Sequence, residues 1–221
     1  KEEKEEKEEA LAGLSALFGY PGAEQMHLDP DEYRLDFFLE NGFHRRACEI
    51  CGDFFWTLDS SRTVCGESPC VSYDFMLRRY TSRSLSVFEA RDVFIKFFES
   101  KGHTPVKPYP LVARWRTDLF LTDASIVVFQ PWVTDGIAAP PANPLVLSQP
   151  CARLVDLDKV GLTFGRHLTV FEMGGHHAFN YPDRYIYWKS ETAEYCHEFM
   201  TRVLEVDPLE LSYKEAWWAG G

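Results

Sequence analysis

The sequence predicts an α+β fold in which helices flank an antiparallel sheet, preceded by a small cysteine-rich module. Three observations predict it. A capped, amphipathic helical stretch begins at Ser86, several strand-like runs separated by turn residues follow it, and four cysteines lie close together between Cys48 and Cys70. A helix followed by strands that pair as hairpins is typical of α+β domains. With 221 residues, 45% of them hydrophobic, the chain can bury one substantial core.

Composition limits the classes of function. No apolar run reaches the roughly 18 residues that a membrane-spanning helix needs, and the charged residues 1–9 are unlike a signal peptide, so we expect a cytosolic protein without membrane contact. The formal net charge of −11 excludes nucleic-acid binding through a general basic field. Any RNA contact must be local or lie on another part of the protein.

Three segments follow one another along the chain. Residues 1–28 begin with a Lys/Glu repeat that has no apolar stripe, which predicts a solvated helix or disorder. Residues 29–84 are predicted to hold a helix and a zinc-ribbon-like module, and residues 85–221 the main domain. The chain starts without methionine and stops at Gly221, so both ends look internal to something longer. A processed form, a fragment and one half of a split gene all remain open.

Caps predict the first two helices. Asp29, followed by proline, starts a helix that Gly42 ends. Ser86 and Glu89 have the spacing of a capping box for a second helix over residues 86–100. An apolar stripe along this second helix indicates that one face packs on the core.

Strand candidates occupy the rest of the main domain. Prolines keep residues 106–112 extended, because proline fixes φ and disfavours helix in the residue before it. Apolar runs predict strands at residues 125–130, 145–153 and 166–173. Ser190 is predicted to cap a final helix.

The four closely spaced cysteines have metal-ligand spacing. A Cys-x2-Cys pair is followed thirteen residues later by a looser Cys-x4-Cys pair, and a glycine directly follows one cysteine of each pair; the four are Cys48, Cys51, Cys65 and Cys70. Four thiolates on two short turns suit tetrahedral Zn²⁺, and a reducing cytosol disfavours disulfides. Structural zinc is the interpretation that the spacing favours, with a disulfide pair or a metal-free remnant as alternatives.

A hairpin in the main domain gathers polar chemistry. If residues 149–153 pair antiparallel with residues 167–171 around a loop centred near Val160, equal parity means equal face. One face then carries Gln149, Cys151, Arg153, His167, Thr169, Phe171 and Met173. The other carries Ala152, Leu168 and Val170 and is predicted to face the core.

The polar face of this hairpin has what an ATP site requires without a glycine-rich loop. An arginine fork at Arg153 can hold a phosphate, His167 can add a donor, and the ring of Phe171 offers a surface for a planar base. The same spacing is also explained by an exposed sheet face on which Arg153 and His167 pair with Asp156 or Asp158. The spacing alone does not decide between an ATP site and such an exposed face.

The strings around this hairpin resemble motif 2 of class II aminoacyl-tRNA synthetases in its alanyl form. They are Ser-Gln-Pro-Cys-Ala-Arg at residues 148–153, the loop Asp-Leu-Asp-Lys-Val-Gly at 156–161, and Arg-His-Leu-Thr-Val-Phe-Glu-Met at 166–173. Residues 97–103 and 109–112 resemble motif 1, and residues 113–118 and 140–144 are similar to the archaeal branch of the alanyl enzymes. The resemblance extends over about residues 31–221.

The resemblance implies roles for individual residues. Arg153 is expected to bind the α-phosphate of ATP and His167 the γ-phosphate. Phe171 is expected to stack on adenine with Met173 nearby. Asp156 stands where many class II enzymes have glutamate and is expected to contact the nucleotide. Trp218 resembles the tryptophan beside the pocket for the alanine methyl group.

The resemblance also implies an activity and its partners. The family activates alanine with ATP and Mg²⁺ and transfers it to tRNA(Ala), mainly with RNA contacts in regions beyond this chain. Motif 3 is expected after Gly221, so this chain alone should activate alanine poorly. A chain of a split synthetase with a complementary polypeptide, and a non-catalytic RNA-binding zinc protein that kept the fold, are the alternatives. We expect a monomer, because the alanyl branch dimerises largely through its distant carboxy-terminal region.

Two adjacent histidines, His176 and His177, follow the hairpin. Neighbouring residues of a strand point to opposite faces, so they suit one metal poorly, and structural or pocket-edge roles are predicted for them.

Overall fold

The computed structural model describes residues 29–67, 70–71, 78–155, 157–163 and 167–216. The chain divides into two compact units, Leu35–Glu215 with Gly220–Gly221, and Lys1–Arg34 with Ala216–Ala219. In the second of these, the described residues form a 3₁₀ turn at Pro30–Tyr33, capped by the Asp29 side chain, which accepts a hydrogen bond of 3.0 Å from the amide of Asp31.

The larger unit contains two three-stranded sheets among its described residues. The first has the order β1-β2-β6, all antiparallel, with β1 at His44–Ala47, β2 at Phe54–Thr57 and β6 at Ser212–Lys214. The second has the order β3-β4-β5, with β3 at Thr104–Pro105, β4 at Leu145–Ala152 and β5 at Val170–His177. β3 pairs parallel to β4, and β5 pairs antiparallel to it.

Four α-helices flank these sheets in the described part of the chain: α1 at Asp36–Glu40, α2 at Val87–Ser100, α3 at Lys159–Leu162 and α4 at Lys189–Glu198. A π-helical turn at Phe199–Val203 continues α4. The predicted α+β class is confirmed. No helix among these residues has the length and apolar character to cross a membrane.

β4 is the central strand of the main domain, and both of its faces are covered. Leu145, Val146 and Leu147 are each 0% exposed. Leu145 and Leu147 pack with Phe129 and Phe179 on one side, while Val146 packs against Phe98 of α2 on the other. Two-sided burial is why this stretch reads as a continuous apolar run rather than an alternating one.

The capping box predicted for α2 is confirmed. The Ser86 hydroxyl accepts a hydrogen bond from the amide of Glu89, and the Glu89 carboxylate accepts one from the amide of Ser86. Reciprocal capping of this kind satisfies two donors that a helix start otherwise leaves open, which fixes where α2 begins.

The strand predicted at residues 125–130 is wrong, because the segment Ser125–Phe129 forms a 3₁₀ helix. Val127, Val128 and Phe129 are buried, so their apolar character serves packing on β4 and not strand pairing. A short apolar run that is fully buried has the same sequence signature in either structure.

Two predicted helix starts also differ from the structure. The single helix expected from Asp29 is two pieces, the turn Pro30–Tyr33 and α1, because Leu35 between them is extended with ψ 139°. Ser190 does not cap α4. Its hydroxyl accepts a hydrogen bond of 3.1 Å from the amide of Phe37 and so fastens α1 to α4.

The sheet beside the cysteine-rich segment includes a strand from far beyond the boundary predicted near residue 84. β2 pairs with β6, so one sheet is built from a strand before residue 84 and a strand that ends at Lys214. Phe38, Phe43 and Trp56 form the adjoining buried cluster, with Tyr213 and Ala193 packed against it. The predicted boundaries of the three segments stay predictions.

The tightest packing against β5 occurs at Gly175, which yields a stability prediction. A β-carbon there would lie 2.3 Å from the Ser125 hydroxyl oxygen, so Gly175→Ala should lower the free energy of unfolding by about 1–3 kcal/mol in urea denaturation. Gly161→Ala is the matched control, because a β-carbon at Gly161 in α3 meets nothing within 4 Å and alanine favours helix. Equal stability of the two variants would contradict the close approach.

Candidate nucleotide site and cysteine cluster

The hairpin pairs two residues further along than the sequence predicts. Cys151 lies opposite Phe171 and Gln149 opposite Met173, and the amide of Arg153 donates a 2.9 Å hydrogen bond to the carbonyl of Thr169. Since a shift by two residues preserves parity, the predicted set of residues still shares one face.

Arg153 and Phe171 come together on that face. The guanidinium carbon of Arg153 lies 5.4 Å from the centroid of the Phe171 ring. Arg153 is exposed and Phe171 half-buried. A cation therefore stands beside an aromatic surface at the open end of the β4–β5 hairpin.

The main chain of Asp123 orients the Arg153 fork. The Nε of Arg153 donates a 2.9 Å hydrogen bond to the carbonyl oxygen of Asp123. Within the described part of the chain, neither Nη nitrogen of Arg153 has a hydrogen-bond partner, so the outer donors of the fork can bind an oxyanion.

The opposite end of the same face is closed. Gln149 is 0% exposed, and its amide group binds both the amide and the carbonyl of Tyr109 at 2.8 and 2.9 Å. Met173 lies opposite Gln149 at this closed end, where its sulfur accepts a 3.4 Å hydrogen bond from the amide of Ser125. This face of the β4–β5 hairpin, which we call the floor, is therefore open to solvent at Arg153 and covered at Gln149.

The prediction that one face of the hairpin points toward the core is wrong for Leu168 and Val170, whereas Ala152 is buried as predicted, with 7% of its surface exposed. Leu168 and Val170 are 54% and 57% exposed, whereas Gln149 and Cys151 on the polar face are 0% exposed. The reason lies in the covering elements. α2 follows the other face only to the neighbourhood of Glu172, and the segment after β3 covers the face with Gln149.

Acidic charge on β5 is kept on the side of the sheet away from Arg153. The carboxylate of Glu172 accepts hydrogen bonds from Arg91 of α2 and from the Ser148 hydroxyl, the latter at 2.7 Å. The Arg91 guanidinium holds the pKa of Glu172 below its usual range. Glu172 therefore stays ionised without opposing an anion bound near Arg153.

Of the three remaining residues predicted to bind the nucleotide or alanine, the structure describes only His167. His167 follows α3, is half-buried, and its amide donates a 2.9 Å hydrogen bond to the Thr163 hydroxyl. Asp156 and Trp218 lie outside the described residues. The roles predicted for these three residues stay predictions.

Two residues around the floor were missed by the sequence interpretation: Asp123 and Ser125. Gln149 was predicted on this face, but not its hydrogen bonds to Tyr109, which close one end. Asp123 acts through a main-chain carbonyl, which no side-chain pattern reveals.

His176 and His177 point to opposite faces, as predicted. His176 stacks on Phe98 with ring centroids 4.1 Å apart, and its Nδ1 lies 2.9 Å from the hydroxyl of Tyr187, which also lies 2.8 Å from Nε2 of His103. His177 contacts the Ser125 hydroxyl at 3.1 Å. Burial lowers the pKa of both His176 and His177 to about 4.

The four predicted metal ligands meet in space. The sulfur atoms of Cys48, Cys51, Cys65 and Cys70 all lie within 4.8 Å of one another. Zinc–sulfur bonds of about 2.3 Å require sulfur separations of roughly 3.8 Å in a tetrahedron, so the cluster has the size of a Zn²⁺ site. All six cysteines are among the described residues, and none is in a disulfide.

The main chain around the cluster stabilises a thiolate. Backbone amides, that of Cys51 foremost, lower the pKa of the Cys48 thiol to about 6, whereas burial raises that of Cys70 to about 12. Gly52 and Gly66, which follow Cys51 and Cys65, have φ of 82° and 90°, the left-handed conformation that glycine adopts without strain. These turns direct the cysteines toward a common centre.

Comparison with known proteins shows the family of this chain. The family model of the tRNA synthetases class II (A) matches residues 89–221, more than half of the chain and the whole of the β4–β5 hairpin. The chain belongs to this family.

Curated relatives of this synthetase chain include three alanine–tRNA ligases. The protein from Sulfurisphaera tokodaii is 57% identical over 89% of this chain, that from Hyperthermus butylicus 57% over 89%, and that from Ignicoccus hospitalis 58% over 86%. The aligned part is 21–22% of the length of these relatives, so the chain spans about a fifth of the proteins it matches.

The buried histidines predict an acid-sensitive fold. An unfolded histidine has a pKa of about 6.5, whereas His176 titrates at about 4 in the folded chain. The unfolded state therefore takes up the proton first. Stability contributed by the neutral ring is complete above pH 6.5 and falls between pH 6.5 and 4, by at most about 1.4 kcal/mol per pH unit for each histidine.

Urea unfolding between pH 7.5 and 4.5 measures this dependence. His176→Gln should make the stability curve shallower, and His44→Gln, at an exposed position, should leave its slope unchanged. A slope that is the same in wild type and His176→Gln would show that this ring is not the source.

Proposed function

We propose that this chain is the ATP-binding part of an alanine–tRNA ligase, which forms alanyl-adenylate from alanine and ATP before transfer of alanine to tRNA(Ala). The observation that carries the proposal is the pairing of Arg153 with Phe171 on the open end of the β4–β5 floor. The identity to alanine–tRNA ligases supports the choice of amino acid.

The proposed chemistry requires positioning and charge stabilisation. The alanine carboxylate attacks the α-phosphorus of ATP, the bond to the β-phosphate oxygen breaks, and pyrophosphate leaves with the electron pair. Negative charge on the α-phosphate oxygens grows in the transition state, and the Nη donors of Arg153 are preorganised to meet it because Asp123 fixes the fork. Mg²⁺ would balance the charge of the leaving pyrophosphate.

The other proposed contacts follow the same floor. Phe171 stacks on the adenine ring and Met173 lies beside it, since the two share a face of β5. His167 binds the terminal phosphate and Asp156 contacts the nucleotide. Trp218 borders the pocket for the alanine methyl group. We place the enzyme in the cytosol, where alanine, ATP and tRNA meet.

Substitution of Arg153 tests the adenylation site. In the complete gene product, Arg153→Ala should lower kcat/KM for alanine-dependent exchange of pyrophosphate into ATP by about 10²–10³-fold, the effect of removing one oxyanion-stabilising group. Arg202→Ala is the matched control, because its side chain is 79% exposed and pairs with Glu198 within one helix turn. It should leave the exchange rate unchanged.

The same assay separates the alternatives. No exchange by the complete gene product, with ATP bound normally, would favour a non-catalytic RNA-binding protein. Exchange that appears only on addition of a second polypeptide carrying motif 3 would favour a split synthetase. Undiminished exchange in Arg153→Ala would overturn the role given to this residue.

Zinc is the metal proposed for the cysteine cluster, with a structural role. Four sulfur ligands leave no open position for a substrate, which is typical of structural and not of catalytic zinc sites. The fit rests on the spacing of the sulfur atoms and on the amides that favour a Cys48 thiolate.

Metal analysis tests this assignment. Protein purified without chelator should contain about one zinc ion per chain, as expected for a four-ligand site, when its metal content is measured by inductively coupled plasma mass spectrometry. The Cys65→Ser variant should lose most of this zinc. Cys196→Ser, an exposed cysteine outside the cluster, should keep the full amount. Zinc content that does not depend on Cys65 would contradict a site at the cluster.

A further inference from the structure

The carbonyl that orients Arg153 belongs to a short segment, residues 122–125, which we call the bracket. Within it, Asp123 accepts the 2.9 Å hydrogen bond from Nε of Arg153. Both ends of the bracket are buried, since Thr122 is 0% and Ser125 4% exposed. The bracket lies outside β4 and β5, so Arg153 takes its orientation from a part of the chain other than the strands of the floor.

Thr122 fixes the first end of the bracket to two neighbouring segments. Its amide donates a 2.8 Å hydrogen bond to the carbonyl of Leu111, and its hydroxyl donates one of 3.2 Å to the carbonyl of Pro110. Its own carbonyl accepts a 2.8 Å hydrogen bond from the amide of Ala152, the residue before Arg153. Thr122 therefore joins residues 110–111 to the end of β4.

Ser125 fixes the second end of the bracket to β5. Its amide donates a 3.4 Å hydrogen bond to the sulfur of Met173, and its hydroxyl lies 3.1 Å from Nε2 of His177. The hydroxyl occupies space that a side chain at position 175 would fill, because a β-carbon on Gly175 would lie 2.3 Å from it. The strand that carries Phe171 therefore also holds the bracket.

Fastening at both ends leaves the Asp123 carbonyl little freedom to move. A guanidinium whose Nε is bound to a fixed acceptor has its two Nη nitrogens aimed before a ligand arrives. An arginine without such an acceptor would lose more side-chain entropy on binding an oxyanion. The hydroxyls of Thr122 and Ser125 thus favour phosphate binding without touching the ligand.

We propose that Thr122 and Ser125 are positioning residues for phosphate binding, which hold the Asp123 carbonyl against Arg153. This role rests on the proposed function, in which Arg153 binds the α-phosphate of ATP. Phe171 is held by the pairing of β5 with β4, so stacking on adenine does not require the Thr122 hydroxyl. Loss of that hydroxyl should therefore weaken recognition of the phosphate more than recognition of the base.

Binding of AMP and adenosine tests this role without reference to catalysis, because the two ligands differ only in the phosphate that Arg153 would bind. In the complete gene product, Thr122→Val keeps the shape of the side chain and removes its hydroxyl. In calorimetry it should raise the Kd of AMP about fivefold and leave that of adenosine within about twofold, as expected for a weakened hydrogen bond to a charged group. Thr122→Ser, which keeps the hydroxyl, should restore AMP binding.

Thr57→Val is the matched control for Thr122→Val. Thr57 is also 0% exposed, and its hydroxyl donates a 3.3 Å hydrogen bond to the carbonyl of Leu211 in the sheet beside the cysteine cluster. The two variants should lose a similar part of their free energy of unfolding in urea denaturation. Thr57→Val should change neither the Kd of AMP nor that of adenosine.

Kinetics test whether Thr122 acts through Arg153. Thr122→Val should lower kcat for alanine-dependent pyrophosphate exchange about tenfold or more, with the KM for alanine within about twofold, because misalignment of a charge-stabilising group acts mainly on the transition state. In an Arg153→Ala background the same substitution should have no further effect, since residues that act through one another are non-additive. Ser125→Ala should behave in the same way, and it decides the question if Thr122→Val fails to fold.

The results that contradict the proposal differ from those that contradict adenylation. Equal weakening of AMP and adenosine, no change in either, or additive effects of Thr122→Val and Arg153→Ala would overturn the positioning role. It also fails if the wild-type protein binds AMP no more tightly than adenosine. If the wild-type protein binds AMP more tightly but shows no alanine-dependent exchange, only the adenylation function fails, and the comparison of Thr122→Val with Thr122→Ser still decides the positioning role.

Discussion

The register between β4 and β5 is the constraint on which the main domain depends. β4 is buried on both faces, with Leu147 against Phe129 and Val146 against Phe98. A slip of one residue in β5 would turn Glu172, now bound by Arg91, toward the layer that contains Phe129. Burying that carboxylate away from its partner costs several kcal/mol, so packing alone specifies the pairing.

The same register assembles the proposed nucleotide floor. Arg153 and Phe171 are neighbours because their strands pair in this register, and the carbonyl of Asp123 aims the guanidinium from a third segment. Side chains held on paired strands are positioned more accurately than side chains on a loop. The proposed reaction depends on charge and orientation and requires no nucleophile from the chain.

Features encoded locally could be predicted from the sequence, and features decided by packing could not. The capping box of Ser86 and Glu89 is local, as is the alternation that puts Arg153 and Phe171 on one face, and both are present. Ser125–Phe129 is β-branched and apolar, yet tertiary packing makes it a 3₁₀ helix. Leu168 and Val170 are apolar but exposed, because what covers a sheet face depends on residues distant in sequence. The pairing of β2 with β6 joins residues about 160 apart and has no local signal.

Gly174 and Gly175 make β5 unusually thin at one point. A β-carbon on Gly174 would lie 2.9 Å from the Phe94 ring of α2, and one on Gly175 would lie 2.3 Å from Ser125 on the other side. Here the backbone alone separates the helical layer from the layer that holds Arg153. Elsewhere in the sheet, side chains can change rotamer to accommodate small shifts of a neighbouring layer, but Gly174 and Gly175 have no side chain. A displacement of α2 would therefore pass through the sheet to Ser125 with little attenuation, so the packing behind the floor sets its geometry as directly as the residues that line it.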